Sequence, residues 1–390
     1  MMKHICFINP HYIGGTIGGA EVQLYILAKA ALESGWRVTY VTHPEEIPLK
    51  SNGIEFQPFR DTGNSKNDRQ SMERILREVD ADVYYQRGRK MWTGYAGHFS
   101  KTSGKPFIFA ASMDIDCKEL KVSGRHKRGG LVGRIKSLLV DSKNREVDRT
   151  TLEGMRRATL VLAQTNTQAR LLNDNLGITA TVFPNIHPVP EIGRIKKASP
   201  PTVLWLASVK KWKRPEIFLR LVNQLKDLDC RFVLAGRLAD KNFRSALDRA
   251  ERENSKFSYV ENVSFERSNE LLADASVFVN TSRMEEGFPN TYVQAWLRGT
   301  PTVALGFDPD NVIETKGLGA NVSSVEELCD YVATLINDSN ARKEAGNRAR
   351  SHGVEYHGME RNAARFFRLV EDVVERKRQE PGEVPNRVNP

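Results

Sequence analysis

The architecture of the chain can be inferred outward from Thr202-Val-Leu-Trp-Leu-Ala207, which continues as Ser208-Val-Lys210-Lys211-Trp-Lys213-Arg214-Pro215. A short apolar run is typical of a buried strand, and a proline after a polar turn is typical of a helix start. We therefore expect a strand, a turn with four cations in five positions, and a helix over Pro215–Leu228. Cations at the carboxyl end of a strand suit a diphosphate leaving group, although a lysine run is more often a solvated surface.

Short apolar strands and helices alternate on both sides of this stretch. Strands are predicted at Ile5–Ile8, Trp36–Thr42, Asp82–Tyr85, Pro106–Ala110, Leu160–Ala163, Arg231–Ala235, Phe257–Val260, Val277–Asn280 and Thr300–Ala304. Helices are predicted at Glu21–Glu33 and from about Gln168. This alternation predicts an α/β protein with two Rossmann-like, doubly wound parallel sheets. Ligands of such sheets bind beyond the carboxyl ends of the strands, in a cleft between the two domains.

The length of 390 residues also favours two domains. The segment Phe183–Pro201 has five prolines and no periodicity, and it separates two similar α/β halves. We place a linker within it, at residues 186–200. The predicted N-terminal domain covers residues 1–185 and the C-terminal domain residues 201–358. A helix at residues 359–378 could pack back on the N-terminal domain, and residues 379–390 form a tail.

Composition bounds the class of protein further. No run of 18 apolar residues is present, so no membrane-spanning helix is expected, and the N-terminus is too quickly polar for a secretory signal. Four separated cysteines predict neither a disulfide framework nor a zinc site, which favours the cytoplasm. The net charge of +10 is concentrated partly in residues 118–136. This segment could contact anionic lipid or an acidic acceptor, or be a solvated basic face, and it resembles no nucleic-acid module.

A second candidate site is Glu286-Gly-Phe-Pro-Asn-Thr291, followed by Tyr292-Val-Gln294-Ala-Trp296. A carboxylate precedes a glycine turn, a proline stands where a helix is expected to begin, and first-turn amides are available to an anion. A carboxylate beside a phosphate cradle predicts a ligand that carries both hydroxyl and phosphate groups, such as a nucleotide sugar.

Glycine pairs follow the first predicted strand, in Pro10-His-Tyr-Ile-Gly14-Gly15-Thr-Ile-Gly18-Gly19-Ala-Glu21. Glycines here would let the backbone approach a ligand in front of a helix start. The pattern is neither GxGxxG nor a P-loop, and a flexible turn is the alternative. His11 lies in this loop, and Arg87 follows another predicted strand, so both could contact an acceptor or could be ordinary turn residues.

The chain resembles a family 4 glycosyltransferase, a retaining enzyme of the GT-B type. The motifs that carry the resemblance are Gly18–Glu21, Lys213-Arg214-Pro215, Val233–Gly236, Asp274-Ala-Ser-Val-Phe-Val, Ser282–Thr291 and Gly299-Thr-Pro301. The resemblance implies two facing Rossmann-like domains, a nucleotide held mainly by the second one, and no metal or other cofactor at the diphosphate. It also implies that the anomeric configuration is kept through a front-face reaction.

The resemblance assigns roles residue by residue. Glu286 would hold hydroxyls of the transferred sugar, and Lys213, helped by Lys210 or Arg214, would stabilise the departing diphosphate. These two, Glu286 and Lys213, are the predicted catalytic residues. The predicted donor-binding residues are Gly14, Gly15, Gly18, Gly19, Lys210, Arg214, Gly287, Phe288, Pro289, Asn290, Thr291 and Gln294.

Three positions depart from the family pattern. Gln294 stands where relatives carry the ribose-binding glutamate, so charge-assisted binding is lost and nucleotide binding is expected to be weakened or retuned. Ala207-Ser208 replaces a Gly-Arg pair. The N-domain histidine of many relatives is absent, and Asp114 or Asp116 could substitute; the Asp-x-Asp spacing of that pair is expected to be coincidental rather than a metal site.

The resulting hypothesis is a transferase that moves a hexosyl unit from a nucleotide diphosphate sugar to a hydroxyl acceptor, in the synthesis of a surface polysaccharide or lipid-linked glycan. The expected location is the cytoplasm, with contact at the inner face of a membrane through residues 118–136. Two alternatives stay open. One is a nucleotide-sugar epimerase of the same architecture, which would need no acceptor, and the other is a catalytically degenerate sugar- or partner-binding relative.

Overall fold

The computed structural model describes residues 2–13, 18–119, 131–283 and 287–379, with the backbone alone at residues 131–141 and 194. By its internal contacts the described chain divides into two compact units. Unit 1 comprises residues 2–183 and 363–379, and unit 2 comprises residues 184–362.

Unit 1 is built on a parallel sheet whose strands follow the spatial order β3-β2-β1-β4-β5-β6-β7. The strands are β1 (His4–Ile8), β2 (Arg37–Thr42), β3 (Glu55–Pro58), β4 (Val83–Arg87), β5 (Phe107–Ala110), β6 (Leu160–Ala163) and β7 (Thr181–Val182). The helices are α1 (Gly19–Glu33), α2 (Ser65–Val79), α3 (Met91–Ser103), α4 (Leu131–Arg156) and α5 (Asn166–Leu176). Every residue of β1 and β4 is buried, as expected for strands covered on both faces.

Unit 2 repeats this architecture with the strand order β10-β9-β8-β11-β12-β13, again parallel. The strands are β8 (Thr202–Leu206), β9 (Arg231–Ala235), β10 (Phe257–Val260), β11 (Val277–Asn280), β12 (Thr302–Leu305) and β13 (Gly319–Val322). The helices are α6 (Pro215–Gln224), α7 (Arg244–Glu253), α8 (Phe265–Asp274), α9 (Asn290–Trp296), α10 (Val312–Lys316), α11 (Val325–Asn337) and α12 (Ser339–His352). A π-helical turn (Gly353–His357) and α13 (Met359–Gln379) follow.

Strand β8 shows why this unit has helices on both faces of its sheet. Val203 and Trp205 belong to one buried apolar cluster, and Leu204 and Leu206 belong to another on the opposite face. Because successive side chains of a strand point to opposite faces, an uninterrupted apolar strand needs cover on both sides. The two predicted doubly wound parallel sheets are confirmed.

The proline-rich segment predicted as a linker is packed into unit 2. The amide of His187 donates to the carbonyl of His357 at 2.9 Å, and the amide of Ala198 donates to the carbonyl of Asp274 at 3.0 Å. The unit therefore begins at residue 184, before the predicted linker at 186–200. Prolines remove amide donors but do not prevent a segment from packing.

The last helix, α13, belongs to unit 1 from residue 363 onward. The ring of Phe366 packs on Tyr85 with centroids 5.6 Å apart, and the ring of Phe367 packs on Trp36 at 5.3 Å. The predicted start of this helix at residue 359 agrees with the observed one. Among the helices of the described residues, none is both long and apolar enough to cross a membrane.

Candidate active site

Two lysines flank one indole ring directly after β8. The Nζ of Lys210 lies 4.4 Å from the ring centroid of Trp212, and the Nζ of Lys213 lies 4.5 Å from the same centroid. Both distances are within the range of cation–π attraction. A short 3₁₀ turn (Lys211–Lys213) sets this arrangement, and Pro215 then begins α6. The sequence predicted the cations, but it gave no role to the ring that holds them.

The close approach of two loops fixes the path of the chain into this turn. Gly236, after β9, has a φ of +137°, and a Cβ built on it would lie 2.0 Å from the carbonyl oxygen of Ala207. Only glycine can occupy such a position. The strand end that carries the cations therefore depends on the glycine that ends the neighbouring strand.

The cationic turn is hydrogen-bonded to the segment that follows β11. The hydroxyl of Thr281 lies 2.7 Å from the carbonyl oxygen of Lys213 and also accepts from the indole of Trp205 at 2.9 Å. The amide of Arg283 donates to the carbonyl of Trp212 at 3.2 Å. These contacts place the cations against the segment that leads toward Glu286. Glu286 itself lies outside the described residues, so its predicted role stays a prediction.

Arg214 has a structural task in this arrangement. Its backbone adopts the left-handed conformation, with φ 53° and ψ 52°. Its guanidinium donates to the carbonyls of Thr281, Ser282 and Leu305, which fastens the ends of β11 and β12. Burial lowers the pKa of this guanidinium, with the nearby Arg283 as a further cause. Of the two helper cations suggested by the sequence, Lys210 is therefore the better placed for a ligand.

The described part of the second motif runs from Gly287 into α9. Gly287 has a φ of +69°, in the left-handed region that favours glycine. Phe288 is buried, and Pro289 occupies the N-cap with φ −67° and ψ 127°. The helix starts at Asn290, and Thr291 is its second residue. The proline was predicted at the first helical position and lies one position earlier, at the N-cap.

The first residues of unit 2 support this loop from behind. The side-chain amide of Asn185 donates to the carbonyl of Phe288 at 2.8 Å, and Nε2 of His187 lies 3.3 Å from Oδ1 of Asn290. Nδ1 of His357 lies 2.8 Å from the carbonyl oxygen of Asn185. We call Asn185, His187 and His357 the loop clamp. The sequence missed it, because Asn185 ends the predicted N-terminal domain, His187 lies in the predicted linker, and His357 lies near the end of the predicted C-terminal domain.

Aromatic rings complete the support. The ring of Phe288 packs on that of His357 with centroids 5.1 Å apart and on Trp296 at 5.8 Å. His352 packs on both Trp296 and His357. Burial lowers the pKa of His187 to about 3 and that of His352 and His357 to about 4. These imidazoles are therefore neutral at pH 7.

Gln294 is buried on α9 and held by the neighbouring helix α8. Its Nε2 donates to Oδ1 of Asn269 at 2.9 Å and to Oγ of Ser268 at 3.2 Å. Both amide protons are used in these contacts, so Oε1 is the atom left to accept a hydrogen bond from a ligand. The neutral amide thus offers an acceptor, as the carboxylate of the family pattern would, but without its charge.

The glycine loop of unit 1 is described only in part, because Gly14 and Gly15 lie outside the described residues. Gly18 is the N-cap of α1, and Gly19 is its first residue. A Cβ on Gly18 would lie 2.3 Å from a carboxylate oxygen of Glu21. Glu21 also accepts from Asn9 at 3.0 Å and lies 3.6 Å from the Nζ of Lys90. Neither Asn9 nor Lys90 was singled out from the sequence.

Three acceptor-side candidates are already engaged within unit 1. Arg87 is 3% exposed at the end of β4. The carboxylate of Asp116 is buried and accepts from the amides of Ser112 and Met113, so it shapes its own turn. Asp114 accepts from Nε2 of Gln168 at 2.9 Å. No contact here assigns either aspartate the role of the missing histidine.

His11, the fourth acceptor-side candidate, is half-exposed after β1. Its Nδ1 lies 3.0 Å from Oε1 of Glu46, and the side chain is 42% exposed. Within the basic segment at 118–136, residues 120–130 lie outside the described residues. Residues 131–136, described by their backbone alone, belong to the first turns of α4. Within the described ranges, no group of three or more His, Cys, Asp or Glu side chains could hold a metal ion.

Solved structures share this two-unit architecture. Sucrose-phosphate synthase from Thermosynechococcus elongatus matches with a TM-score of 0.72 and 12% identity, over 96% of this chain and 100% of that one. Anabaena HepE in complex with UDP-glucose matches with a TM-score of 0.70 and 16% identity, over 95% and 99%. A mutant of S. aureus TarM, in complex with fondaparinux, alpha-GlcNAc-glycerol and UDP, matches with a TM-score of 0.68 and 12% identity, over 94% and 99%. The fold is therefore GT-B.

The family match is carried by unit 2. Residues 200–338 match the family model described as "Glycosyl transferases group 1". Among curated protein sequences, no significant match to the chain is found. The match supports the predicted resemblance to family 4 glycosyltransferases over residues 200–338, and the solved structures support the GT-B fold.

Proposed function

We propose that the protein is a retaining hexosyltransferase that moves a sugar from a nucleotide diphosphate donor to a hydroxyl acceptor. The observation that carries this proposal is the pair of lysines on Trp212, tied through Arg283 and Thr281 to the segment before Gly287. Positive charge at the carboxyl end of a parallel strand is where an anionic ligand of such a sheet is expected. The group 1 family match over the same unit supports the same reading.

In this proposal Lys213 and Lys210 stabilise the negative charge that develops on the diphosphate as it leaves. Loss of one preorganised group of this kind typically costs about 2.7–4 kcal/mol, or about 100- to 1000-fold in kcat. Glu286 would orient the hexosyl hydroxyls, and Gln294 would accept from a ribose hydroxyl through Oε1. The backbone of Gly287–Thr291 would meet the sugar and the phosphates. The loop clamp would keep that backbone in place.

The proposed reaction keeps the anomeric configuration. The bond between the anomeric carbon and the diphosphate oxygen breaks, the acceptor oxygen bonds to the same face of that carbon, and the acceptor proton passes to the departing diphosphate. Since the lysines supply positive charge at the diphosphate, we propose that neither a metal ion nor another cofactor is required. The HepE and TarM complexes contain UDP-glucose and UDP respectively, which supports a nucleotide donor for this fold.

The acceptor is proposed to be a growing surface polysaccharide or a lipid-linked glycan, reached at the inner face of a membrane. The basic residues of the 118–136 segment motivate this part of the proposal. Cosedimentation with anionic and with neutral vesicles tests it. Binding that depends on anionic lipid supports contact through this segment. Equal binding to both kinds of vesicle, or binding to neither, contradicts it.

The donor role is tested with Lys213→Ala and a matched control. A thermal-shift screen of nucleotide sugars identifies the donor, because a ligand that binds the native state raises its stability. With that donor, Lys213→Ala is expected to lower kcat by at least about 100-fold while Tm stays unchanged. Lys211→Ala removes an exposed lysine from the same turn and should keep full activity.

Two results would contradict the proposal. One is equal activity of Lys213→Ala and Lys211→Ala, which would remove the role of the cation pair. The other is an inverted product, detected by proton NMR of the anomeric signal. Activity that survives EDTA supports the metal-independent step, and loss of activity that Mg²⁺ restores contradicts it.

A further inference from the structure

We infer that Trp212 makes the cationic turn, residues 210–214, prefer a diphosphate to a monophosphate, because its indole holds the ammonium groups of Lys210 and Lys213 together. The inference rests on the proposed donor role of the two lysines and adds a residue that determines specificity. Trp212 acts through the lysines, so it is a positioning residue and not a catalytic one. Inorganic anions can test this role without a donor sugar or an acceptor.

The local backbone brings the two lysines to one side of the turn. Lys210 is the N-cap of the 3₁₀ turn Lys211–Lys213, and the amide of Lys213 donates to the carbonyl of Lys210 at 2.9 Å. Side chains three positions apart eclipse each other in such a turn. Lys211 is one position away from this alignment and is exposed, whereas Lys210 and Lys213 are half-buried. The spacing therefore gives two of the three lysines a common side.

Two ammonium groups on one side of a turn repel each other, and the indole lies against both. The ring centroid of Trp212 is 4.4 Å from Nζ of Lys210 and 4.5 Å from Nζ of Lys213, so the two charges lie within about 9 Å of each other. At this separation, about one Debye length in 0.1 M salt, both charges act on the same anion. The negative face of the ring attracts each cation and offsets their repulsion.

The backbone that carries the indole is fixed by the segment after β11. The carbonyl of Trp212 accepts from the amide of Arg283 at 3.2 Å, and the hydroxyl of Thr281 lies 2.7 Å from the carbonyl oxygen of Lys213. Thr281 is buried, so the core of unit 2 fixes this contact. A ring on a fixed base lowers the conformational freedom that two long lysine side chains would otherwise lose on binding.

A pair of cations held together distinguishes anions by their number of phosphate groups. A diphosphate can meet both ammonium groups at once, and its second contact is then intramolecular. A monophosphate has one phosphate group and gains less from the second lysine. Without the ring the lysines can separate, and the advantage of the second phosphate group is lost. Trp212 therefore controls the ratio of the two affinities rather than anion binding in general.

The alternative role for a half-buried indole is to stack on a nucleobase or a sugar ring. Both ammonium groups lie over the ring of Trp212, where a stacked base would have to lie. This arrangement favours the holding of cations. The two roles also differ in their ligands, because stacking contributes nothing to the binding of an inorganic anion.

The test measures the dissociation constants of inorganic pyrophosphate and of phosphate by calorimetry on the full chain. Trp212→Leu is expected to weaken pyrophosphate binding by about 5- to 30-fold, which corresponds to the usual strength of a cation–π contact. Phosphate binding should weaken by less, so the ratio of the two constants falls. The matched control is Lys211→Ala, which removes an exposed charge from the same turn and should leave that ratio unchanged.

A second measurement weakens the attraction of the ring without removing the ring. Tryptophan with one and with two ring fluorines is installed at position 212 by nonsense suppression. Fluorine withdraws electron density from the ring face and so weakens its attraction for cations. Pyrophosphate affinity is expected to fall with each fluorine while Tm stays constant. A ring that only packs against its neighbours would not respond in this way.

The results distinguish a failure of this inference from a failure of the proposed function. Equal ratios in the wild type, Trp212→Leu and the fluorinated proteins would overturn the role of Trp212, and so would a wild type without any preference for pyrophosphate. Transfer of a sugar with such unchanged ratios would keep the function alone. A preference that depends on Trp212, in a protein that transfers no sugar from any nucleotide donor, would keep the inference and contradict the function.

Discussion

The side-chain amide of Asn185 donates to the main-chain carbonyl of Phe288 at 2.8 Å, across 103 positions of sequence. Asn185 is the second residue of unit 2, and Phe288 lies in the loop that the sequence predicts to bind the donor. The chain therefore fixes this loop with the first residues that enter the unit. Such support from behind is how a binding loop is held in its productive geometry.

Removal of this hydrogen bond is expected to weaken donor binding. In Asn185→Ala the buried carbonyl of Phe288 loses its donor, a change that typically costs about 1–3 kcal/mol. We expect the Kd for the donor, measured by calorimetry, to rise about tenfold, and the urea midpoint to fall. The control is Asn362→Ala, since Asn362 is similarly buried but donates to the carbonyls of Tyr356 and Gly358.

The control separates support of the loop from stability in general. Asn362→Ala is expected to lower the urea midpoint while donor affinity stays at the wild-type value. Equal losses of affinity in both variants would mean that the clamp stabilises unit 2 without any special effect on the loop.

A second prediction concerns Gln294, which replaces the charged glutamate of the family pattern by a neutral amide. In Gln294→Glu, rotation of the Ser268 hydroxyl and of the Asn269 amide can present donors to the new carboxylate. If Oε1 meets the ribose, the charged form should bind the donor about tenfold more tightly, because hydrogen bonds to charged groups are stronger. Calorimetry with the donor measures this. Weaker binding by Gln294→Glu would refute the ribose assignment.

A double-mutant cycle tests the contact between Gln294 and Asn269. Asn269→Asp alone keeps an acceptor for the Gln294 amide and is expected to fold normally. Combined with Gln294→Glu, it places two carboxylates where Nε2 of Gln294 and Oδ1 of Asn269 now lie 2.9 Å apart. A coupling energy of about 0.5–3 kcal/mol is expected for groups in contact. Additive urea midpoints would show that the two side chains do not interact.

The repeated parallel sheets could be predicted because their strands are continuous apolar runs. Phe257–Val260 and Val277–Asn280 have the predicted bounds. The edge strands Glu55–Pro58 and Gly319–Val322 were missed, since one contains a proline and is largely exposed, and the other begins with a glycine. The backbone requires that glycine, because a Cβ on Gly319 would lie 1.9 Å from the carbonyl oxygen of Thr302.

At the candidate site, the sequence showed which residues follow a strand and precede a helix. It did not show which residues distant in sequence contact each other. Lys210 and Lys213 were predicted to matter because they follow a strand and precede a helix. The structural task of Arg214 depends on carbonyls from two other strand ends, which no local pattern encodes. The clamp residues Asn185 and His187 were hidden for the same reason, because proline-rich sequence around them is typical of a linker.

The buried histidines beneath the loop predict a loss of stability in acid. Burial lowers the pKa of His357 to about 4, whereas an unfolded histidine titrates near 6.5. Between these values the unfolded chain binds more protons, so this contribution is complete above pH 6.5 and is lost as the pH falls toward 4. From pH 7.5 to 5.0 one such histidine lowers the free energy of unfolding by about 2 kcal/mol.

In His357→Asn, the amide can still donate to the carbonyl of Asn185 but does not titrate, so urea unfolding should show a smaller difference between the two pH values. Asn362→Ala, which removes no histidine, should keep the wild-type difference. Equal differences in all three proteins would show that His357 titrates in the native state as it does in the unfolded chain.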